Sequence, residues 1–220
     1  MTERKIVVPG EVVAKGDYLP GEWTEKRGDE IVSIRYGLAE EANRLVKVIP
    51  LSGVYIPRRG NVIIGKVENI TFNGWILDIG TAGTAFLSLM EVPRYVNKDA
   101  LEEVMEIGDV AVVKVVGVNR RGVDLSIKLR GLGKIDEGII IKVNPNKVPR
   151  VIGKEGSMIS LIKDATRCDI TIGQNGLVWI KGENVVDEIF AKEAILYVAS
   201  KSFVSGLTEK VTKWLEEHKK

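Results

Sequence analysis

Two stretches near the start of the chain, residues 30–36 and 44–49, alternate polar and apolar side chains. This alternation is the period of half-buried β-strands. Residues 37–43 between them could close the two strands as a hairpin. A unit of this size buries little core by itself, so residues 1–57 are predicted to form a small β domain that docks on a neighbouring domain or on a partner.

Five apolar-rich segments separated by turn signals follow, and they predict five strands between residues 58 and 130. The predicted strands are residues 61–70, 74–79, 84–87, 110–118 and 123–128. A partly helical connection at residues 93–105 separates the third strand from the fourth. Five strands with one helical excursion predict an OB-like barrel.

The last part of the chain, residues 131–220, mixes the strand and helix periods. Its predicted elements are a strand at 138–143, a short helical turn at 148–152, a helix at 157–166, strands at 169–172 and 177–180, a long helix at 183–202 and an amphipathic helix at 207–218. The long helix is expected to bury an apolar side made of Val186, Ile189, Phe190, Ala194 and Val198. The whole chain is therefore predicted to be a multidomain β and α+β protein.

Charge narrows the kinds of partner. The 220 residues carry 32 Lys and Arg against 30 Asp and Glu, a formal net charge of +2. This balance excludes a broad basic field, so a nucleic-acid site must be a local patch. The sequence contains no apolar run long enough to span a membrane.

The single cysteine, Cys168, and the single histidine, His218, limit the chemistry of the chain. One cysteine cannot form an intramolecular disulfide, and it fits a reducing cytoplasm. A Cys/His zinc set cannot be assembled, and neither a Ser-His nor a Cys-His pair is expected. The sequence thus predicts no catalytic residue, no metal site and no cofactor.

A glycine-rich loop precedes the helix predicted at residues 157–166. Gly153 and Gly156 bracket Lys154 and Glu155. Glycine allows close backbone approach and positive φ, and Ser157 is expected to cap the helix. The N–H groups of a helix start and the Lys154 ammonium suit a phosphate. The alternative is a glycine-rich turn between two helices.

The order strand, helix, Gly-x-x-Gly, helix, strand, strand, helix resembles a type I KH domain over a segment that ends near Ser202. The resemblance implies that the loop clamps single-stranded nucleic acid. The candidate RNA-binding residues here are Arg150, Gly153, Lys154, Glu155, Gly156 and Ser157. Gly153→Asp is expected to weaken RNA binding without unfolding the domain. The Gly-Gln-Asn-Gly run at residues 173–176 lies between two strands and is expected to be structural, and the resemblance implies that it packs the KH domain on the barrel.

The barrel resembles an OB domain of the ribosomal-protein S-one type. The motifs that carry this likeness are Gly65-Lys66-Val67, Phe72-Asn73-Gly74-Trp75, Gly83-Thr84-Ala85-Phe86-Leu87-Ser88, Gly108-Asp109-Val110 and Leu125-Ser126-Ile127-Lys128. In that family the positions matching Phe72, Trp75 and Phe86 face RNA, and aromatic rings there would stack on bases. Phe86 stands where His is common. The alternative is that Trp75 and Phe86 fill the barrel core.

Three basic residues complete the candidate RNA-binding set of the barrel: Lys66, Arg120 and Arg121. Arg120 and Arg121 lie at the tip of a predicted hairpin. There they could grip phosphates, or they could simply be solvated.

The three modules are a small N-terminal β docking domain (1–57), an S-one type barrel (58–130) and a KH domain with a C-terminal helical extension (131–220). In this order, they resemble the RNA-binding cap subunits of the archaeal exosome. The resemblance implies a non-catalytic subunit in three copies on a hexameric ring of RNase-PH-like subunits, feeding single-stranded RNA into a pore for 3′-to-5′ degradation. Two alternatives remain: a free-standing RNA-binding regulator of transcription or translation, and a nuclease that binds Mg²⁺ through scattered Asp and Glu.

Overall fold

The computed structural model describes residues 5–97, 100–201 and 206–218. The chain divides into two compact units, Met1–Gly53 and Val54–Lys220. Within the described ranges, no helix combines the length and the apolar character needed to cross a bilayer. The division into three domains at residues 57 and 130 stays a prediction.

The first unit consists of two small sheets. Its strands are β1 (Lys5–Val7), β2 (Val12–Lys15), β3 (Leu19–Pro20), β4 (Thr24–Arg27), β5 (Glu30–Ser33), β6 (Gly37–Ala42) and β7 (Leu45–Pro50). One sheet has the order β1-β6-β7-β3 and the other the order β2-β5-β4. Val7, Ala39 and Val48 form a buried cluster, against which Val13 and Trp23 pack. The small N-terminal β unit is thus confirmed.

The predicted hairpin between residues 30–36 and 44–49 is wrong. The supposed linker is itself strand β6, which pairs with β7, whereas β5 lies between β2 and β4 in the other sheet. Strand β6 contains Gly, Ala and Glu, which are depleted in strands, so its sequence looked like a connection. The β6–β7 turn is formed by Asn43 and Arg44, whose φ angles of 50° and 63° fit a two-residue hairpin turn.

The second unit begins with the barrel. Its strands are β8 (Val62–Thr71), β9 (Gly74–Asp78), β10 (Ala85–Ser88), β11 (Val110–Asn119), β12 (Gly122–Ser126) and β13 (Gly133–Ile135). The strand order is β12-β10-β9-β8-β11-β13, and β12 also pairs with β11. Strands β8 to β12 therefore close into the predicted five-stranded OB-like barrel, and β13 extends it from β11. Trp75, Leu77, Leu87, Met105 and Leu125 are among the residues that fill its interior.

The remainder of the second unit has the predicted type I KH order. Its elements are β14 (Ile139–Lys142), α1 (Val148–Ile152), α2 (Ser157–Thr166), β15 (Asp169–Ile172), β16 (Leu177–Lys181), α3 (Val185–Ser200) and α4 (Leu207–His218). The sheet order is β14-β16-β15, with antiparallel pairs. The KH domain and its C-terminal helix are confirmed. The predicted end of the long helix at Ser202 lies outside the described residues.

The apolar side predicted for the long helix is only partly buried. Ala194 and Val198 are buried, but Val186 is 63% exposed and Ile189 is 46% exposed. The buried side of α3 instead includes Ala191 and Ile195. Because α3 has apolar residues on all sides, its sequence pattern did not distinguish the side that faces the core.

Candidate nucleic-acid interface

The outer face of the barrel carries two phenylalanine rings. In β10, Ala85 and Leu87 are buried, so the alternation of strand side chains turns Phe86 outward. Phe86 lies opposite Ile76 of β9 on one side and Asp124 of β12 on the other, and it is half-buried. Phe72 sits in the turn between β8 and β9, and its side chain is 80% exposed. These two rings are available to stack on bases.

Trp75 does not belong to this face. It has no exposed surface, and its Nε1 donates a hydrogen bond to the carbonyl oxygen of Met105 at 3.0 Å. It lies opposite Leu87 and Ile70 and shares the inward side of β9 with Leu77. A ring enclosed in this way offers no face to a base, so the expectation that Trp75 contacts RNA is corrected: Trp75 is a core residue.

The hairpin tip between β11 and β12 is built by Asn119. Its Oδ1 accepts hydrogen bonds from the backbone N–H groups of Arg121 (2.8 Å) and Gly122 (3.1 Å). The turn holds the side chains of Arg120 and Arg121 in solvent. The N–H of Val123 donates to the carbonyl of Thr84 at 2.9 Å, which places the tip beside the start of β10.

The arginine tip and the Phe72 turn thus lie at opposite ends of β10. Thr84 precedes the strand at the arginine end, and Ser88 lies opposite Gly74 at the Phe72 end. At about 3.3 Å per residue the two ends are separated by roughly 13 Å. Phe86 lies between them and faces outward, so the two arginines, Phe86 and Phe72 follow one another along a short track on the barrel.

Carboxylates interrupt this track. Asp124 lies next to Phe86, and its Oδ2 accepts a hydrogen bond from Asn119 Nδ2 at 2.9 Å. Lys66 is exposed, but it lies directly opposite Asp78 on β9. The track therefore has no large positive field, and its aromatic rings must contribute much of any affinity for RNA.

One further cation of the barrel is already paired. Lys128 Nζ lies 3.1 Å from Glu91 Oε1. The hydrogen bond from Ser126 and the interaction with Lys128 hold the pKa of Glu91 below its usual value, against the opposing effect of burial. Glu91 therefore stays ionised and partly neutralises Lys128.

Two exposed side chains in the segment after β10 were missed by the sequence analysis. Met90 is 76% exposed and Tyr95 is 93% exposed. The N–H of Leu89 donates to the carbonyl of Asn73 at 2.9 Å, which ties the start of this segment to the turn. Tyr95 falls in residues 93–105, which were interpreted as a partly helical connection; an aromatic residue two positions after Pro93 was the available signal.

The Gly-x-x-Gly loop has the backbone conformation that its glycines suggested. Gly153, Glu155 and Gly156 have positive φ angles of 78°, 54° and 82°. The N–H of Gly156 donates to the carbonyl of Gly153 at 3.3 Å. The side chains of Lys154 and Glu155 are exposed, so the loop presents one cation and one anion to solvent.

Two expectations about this loop need correction. Ser157 is the first residue of α2, and Gly156 occupies the cap position without a side-chain hydrogen bond, so Ser157 does not cap the helix. A Cβ added to Gly153 would lie 2.6 Å from the backbone nitrogen of Met158 and 2.7 Å from its Cβ. Gly153→Asp would therefore strain the domain as well as repel a phosphate.

Arg150 and Ser157 flank the loop on either side. Arg150 is exposed in the last turn of α1, and Ser157 is exposed at the start of α2. Both residues lie within four positions of Lys154 in the sequence. The structure thus gathers the predicted KH residues at one junction between α1 and α2.

The run at residues 173–176 joins the KH domain to the barrel. Asn175 is 5% exposed, and its Oδ1 accepts a hydrogen bond from the N–H of Ile64 at 3.3 Å. Its Nδ2 donates to the carbonyls of Ile64 (2.7 Å) and Ile79 (3.1 Å). The backbone N–H of Gln174 donates to the carbonyl of Val62 at 2.9 Å. The structural role expected for this run is confirmed by these contacts.

The position of Asn175 explains why an asparagine is needed there. Strand β9 pairs with β8 only as far as Lys66 and Asp78, and Ile64 lies beyond that point. The side-chain amide of Asn175 supplies one acceptor and two donors to the backbone groups left there. We call Gln174 and Asn175 the amide clamp.

In the described parts of the chain, no three His, Cys, Asp or Glu residues are grouped so that they could hold a metal ion.

Comparisons with known proteins agree with this architecture. A family model described as a KH domain matches residues 138–186. The exosome complex component Rrp4 of Methanothermobacter thermautotrophicus is 44% identical over 217 residues, which is 98% of this chain and 69% of that protein. The proteins of the same name from Methanothermus fervidus and Nitrosopumilus maritimus are 40% and 38% identical, and at least 96% of each is covered.

A solved structure is similar to this chain in fold and in sequence. The crystal structure of a protein described as an exosome complex RNA-binding protein superimposes with a TM-score of 0.67 at 32% sequence identity. The match covers 75% of this chain and 97% of the other. The barrel and the KH domain agree with the sequence identity of 38–44% to these relatives over nearly the whole chain. The chain therefore belongs to the exosome complex component Rrp4 family.

Proposed function

We propose that this protein is a non-catalytic RNA-binding cap subunit of an archaeal exosome in the cytoplasm. It captures single-stranded RNA and guides 3′ ends into the pore of an RNase-PH-like phosphorolytic ring for 3′-to-5′ degradation. The observation that carries the proposal is that two RNA-type surfaces, on the barrel and on the KH domain, are fixed to each other by the amide clamp. Family membership supports the same role.

The barrel surface handles RNA through stacking. Phe72 and Phe86 offer rings to successive bases, and Arg120 and Arg121 meet phosphates at the far end of β10. Met90, next to the Leu89 that bonds Asn73, extends the surface beside the Phe72 turn. Stacking on rings depends little on base identity, which suits a subunit that must accept many RNAs.

The backbone of the KH loop is proposed to contact a phosphate of the RNA. Its positive φ angles at Gly153 and Gly156 shape a tight bend with little side-chain bulk, and Lys154 provides a cation beside it. A phosphate is the group that such a bend can approach closely. Arg150 and Ser157 contribute polar groups on the flanks.

The first unit is proposed to dock on the ring. On the outer side of its larger sheet, Ile6, Leu38 and Ile49 lie opposite one another across β1, β6 and β7. Ile6 is 57% exposed and Ile49 is 40% exposed. This apolar row is the proposed contact with the ring. On the basis of the family resemblance, we also propose three copies around a hexameric ring.

Reconstitution with separately purified ring subunits tests the proposal. The full chain should co-elute with the ring, and the complex should shorten single-stranded RNA in a phosphate-dependent way, more processively than the ring alone. The purified chain alone should bind RNA and shorten none. Failure to join the ring would favour the free-standing regulator, and RNA shortening by the chain alone would identify a nuclease.

A further inference from the structure

Helix α3 has an apolar surface that no other described element covers. Its buried side includes Ala191, Ala194, Ile195 and Val198. On the opposite side, the exposed apolar residues are Val185 (65%), Val186 (63%), Ile189 (46%) and Leu196 (41%). Exposed apolar residues grouped on one side of a helix mark a surface on which a binding partner is expected.

A groove of about 550 Å³ runs along part of this surface. Its walls come from the end of α2, the first turns of α3 and the end of α4. Ala165, Val186, Ile189 and Phe190 supply its apolar lining, and the other lining residues are polar or charged. The groove is therefore continuous with the exposed apolar residues of α3.

Aromatic stacking holds the α4 wall in place. The Trp214 ring stacks on Phe190 at 5.8 Å and on Tyr197 at 5.2 Å between ring centroids. The His218 ring stacks on Trp214 from the other direction at 4.5 Å. Because three rings fix α4 against α3, the groove is preformed and does not need a ligand to open it.

The rim of the groove is mainly acidic. Glu183, Asp187 and Glu193 line it, against Arg167 and His218. Asp187 also accepts a hydrogen bond from Asn184 Nδ2 at 2.7 Å, which fixes its carboxylate at the start of α3. The exposed apolar residues of α3 beside these carboxylates are complementary to an apolar ridge flanked by cations.

We propose that the α3 groove docks an amphipathic helix from another protein, with aliphatic residues on one face and Lys or Arg beside them. Helix-in-groove recognition places such aliphatic residues in an apolar groove. RNA is disfavoured because three carboxylates would face its phosphates. A symmetric contact between two copies of this chain is also disfavoured, because it would bring the same acidic rims together. This site goes beyond the RNA-binding role proposed above.

The test uses the full chain and a fluorescein-labelled helical peptide of Leu and Lys, about 18 residues or five turns long. A matched Leu and Glu peptide is the charge control. Fluorescence anisotropy should show binding of the Leu and Lys peptide. The double variant Val186→Ser/Ile189→Ser should weaken that binding about tenfold or more. Val118→Ser, at a residue that is 50% exposed on β11, should leave it unchanged.

A second pair of substitutions tests the rim independently of the apolar contacts. Glu183→Lys/Glu193→Lys should reverse the preference, so that the Leu and Glu peptide binds more tightly than the Leu and Lys peptide. Circular dichroism should show native folds for all variants, because every changed residue is exposed.

Three results would overturn the proposal. Equal peptide binding by the wild type and Val186→Ser/Ile189→Ser would mean that the groove is not the site. Self-association in sedimentation that this double variant abolishes would make a second copy the occupant. A loss of single-stranded RNA affinity in the same variant would make the groove an RNA surface.

Discussion

Phe72 and Trp75 are separated by one hairpin turn but occupy opposite environments. Phe72 is 80% exposed, whereas Trp75 has no exposed surface. The alternation of side chains along β9 accounts for this difference. Trp75, Leu77 and Ile79 are two residues apart and point to the barrel interior, whereas Phe72 lies in the turn before the strand. A ring can support RNA binding only where its face is open.

This difference gives the first prediction. Phe72→Ala should weaken affinity for a single-stranded RNA by about 1–3 kcal/mol, because it removes a stacking surface, while the free energy of unfolding stays nearly unchanged. Trp75→Ala should instead lower the free energy of unfolding by about 3–5 kcal/mol, because it leaves a cavity in the core. RNA titrations and urea denaturation of both variants measure the two effects. A folded Trp75→Ala protein with normal stability would contradict the core assignment.

The KH loop is best tested at Lys154. Lys154→Ala removes an exposed cation without altering the glycine backbone, so it should weaken RNA binding and reduce the salt slope by about 0.7. Lys210→Ala, at an exposed position of α4, is the matched control for charge. Anisotropy titrations over a range of salt concentrations provide the measurement. If the two variants bind RNA equally well, the loop is a turn and not a phosphate site.

Tyr55 gives a prediction about pH. Burial raises its pKa to about 12, while an unfolded tyrosine has a pKa of about 10. Between these values the unfolded chain loses the proton and the folded chain keeps it, so the free energy of unfolding falls as pH rises. Urea denaturation near pH 9 and near pH 11 should show a smaller decrease for Tyr55→Phe than for the wild type. Equal decreases would contradict the assignment.

At the residue scale, the sequence did not contain the orientation of the candidate side chains. The side-chain types at Phe72, Phe86 and the glycine loop led to the prediction of RNA binding, which stays a prediction. The burial of Trp75 depends on which face of β9 meets the core, and the clash at Gly153 depends on Met158 in the next helix. Both are tertiary facts that spacing alone does not contain.

At the scale of elements, the amide clamp ties the KH domain to the barrel. It binds β8 where β9 has already diverged, so the backbone of Ile64 would otherwise lose partners. Unsatisfied buried backbone groups are costly. The clamp is therefore required for stability as well as for the relative placement of the barrel and the KH domain.

The clamp gives a prediction with a built-in control. Asn175→Ala removes three side-chain hydrogen bonds and leaves buried backbone groups unpaired, so it should lower the free energy of unfolding by about 2–4 kcal/mol. Gln174→Ala removes only the side-chain contact to Val62 and keeps the backbone bond, so its cost should be below about 1 kcal/mol. Urea denaturation compares the two. A Gln174→Ala variant that is as destabilised as Asn175→Ala would show that the clamp acts through some other contact.

The helices and strands were predictable from the sequence where their hydrophobic periodicity is regular. Helix α2 and helix α4 begin and end as the sequence indicated. Strand β6 was missed because Gly, Ala and Glu carry little strand preference, and its identity depends on pairing with β7. Helix α3 was located, but its exposed side was not, because apolar residues surround it.

At the scale of the whole molecule, the division between the two units falls before the barrel begins. Tyr55 packs in the barrel core and donates a hydrogen bond to Asn61 Oδ1 at 2.8 Å. Removal of residues 1–57 would therefore damage the barrel. A truncation that starts at Val54 keeps Tyr55, the barrel core and the KH core, and so separates the proposed docking unit from the unit proposed to bind RNA.

The last prediction concerns this truncation. Residues 54–220 should fold, because both of their hydrophobic cores remain, and should bind free single-stranded RNA about as well as the full chain. They should no longer co-elute with an RNase-PH-like ring, because the apolar row of Ile6, Leu38 and Ile49 is gone. Ile6→Glu/Ile49→Glu in the full chain should give the same loss without any truncation, while Lys26→Ala, an exposed change on β4, should have no effect. If the truncated chain assembles as well as the full chain, the barrel or the KH domain must make the contact with the ring.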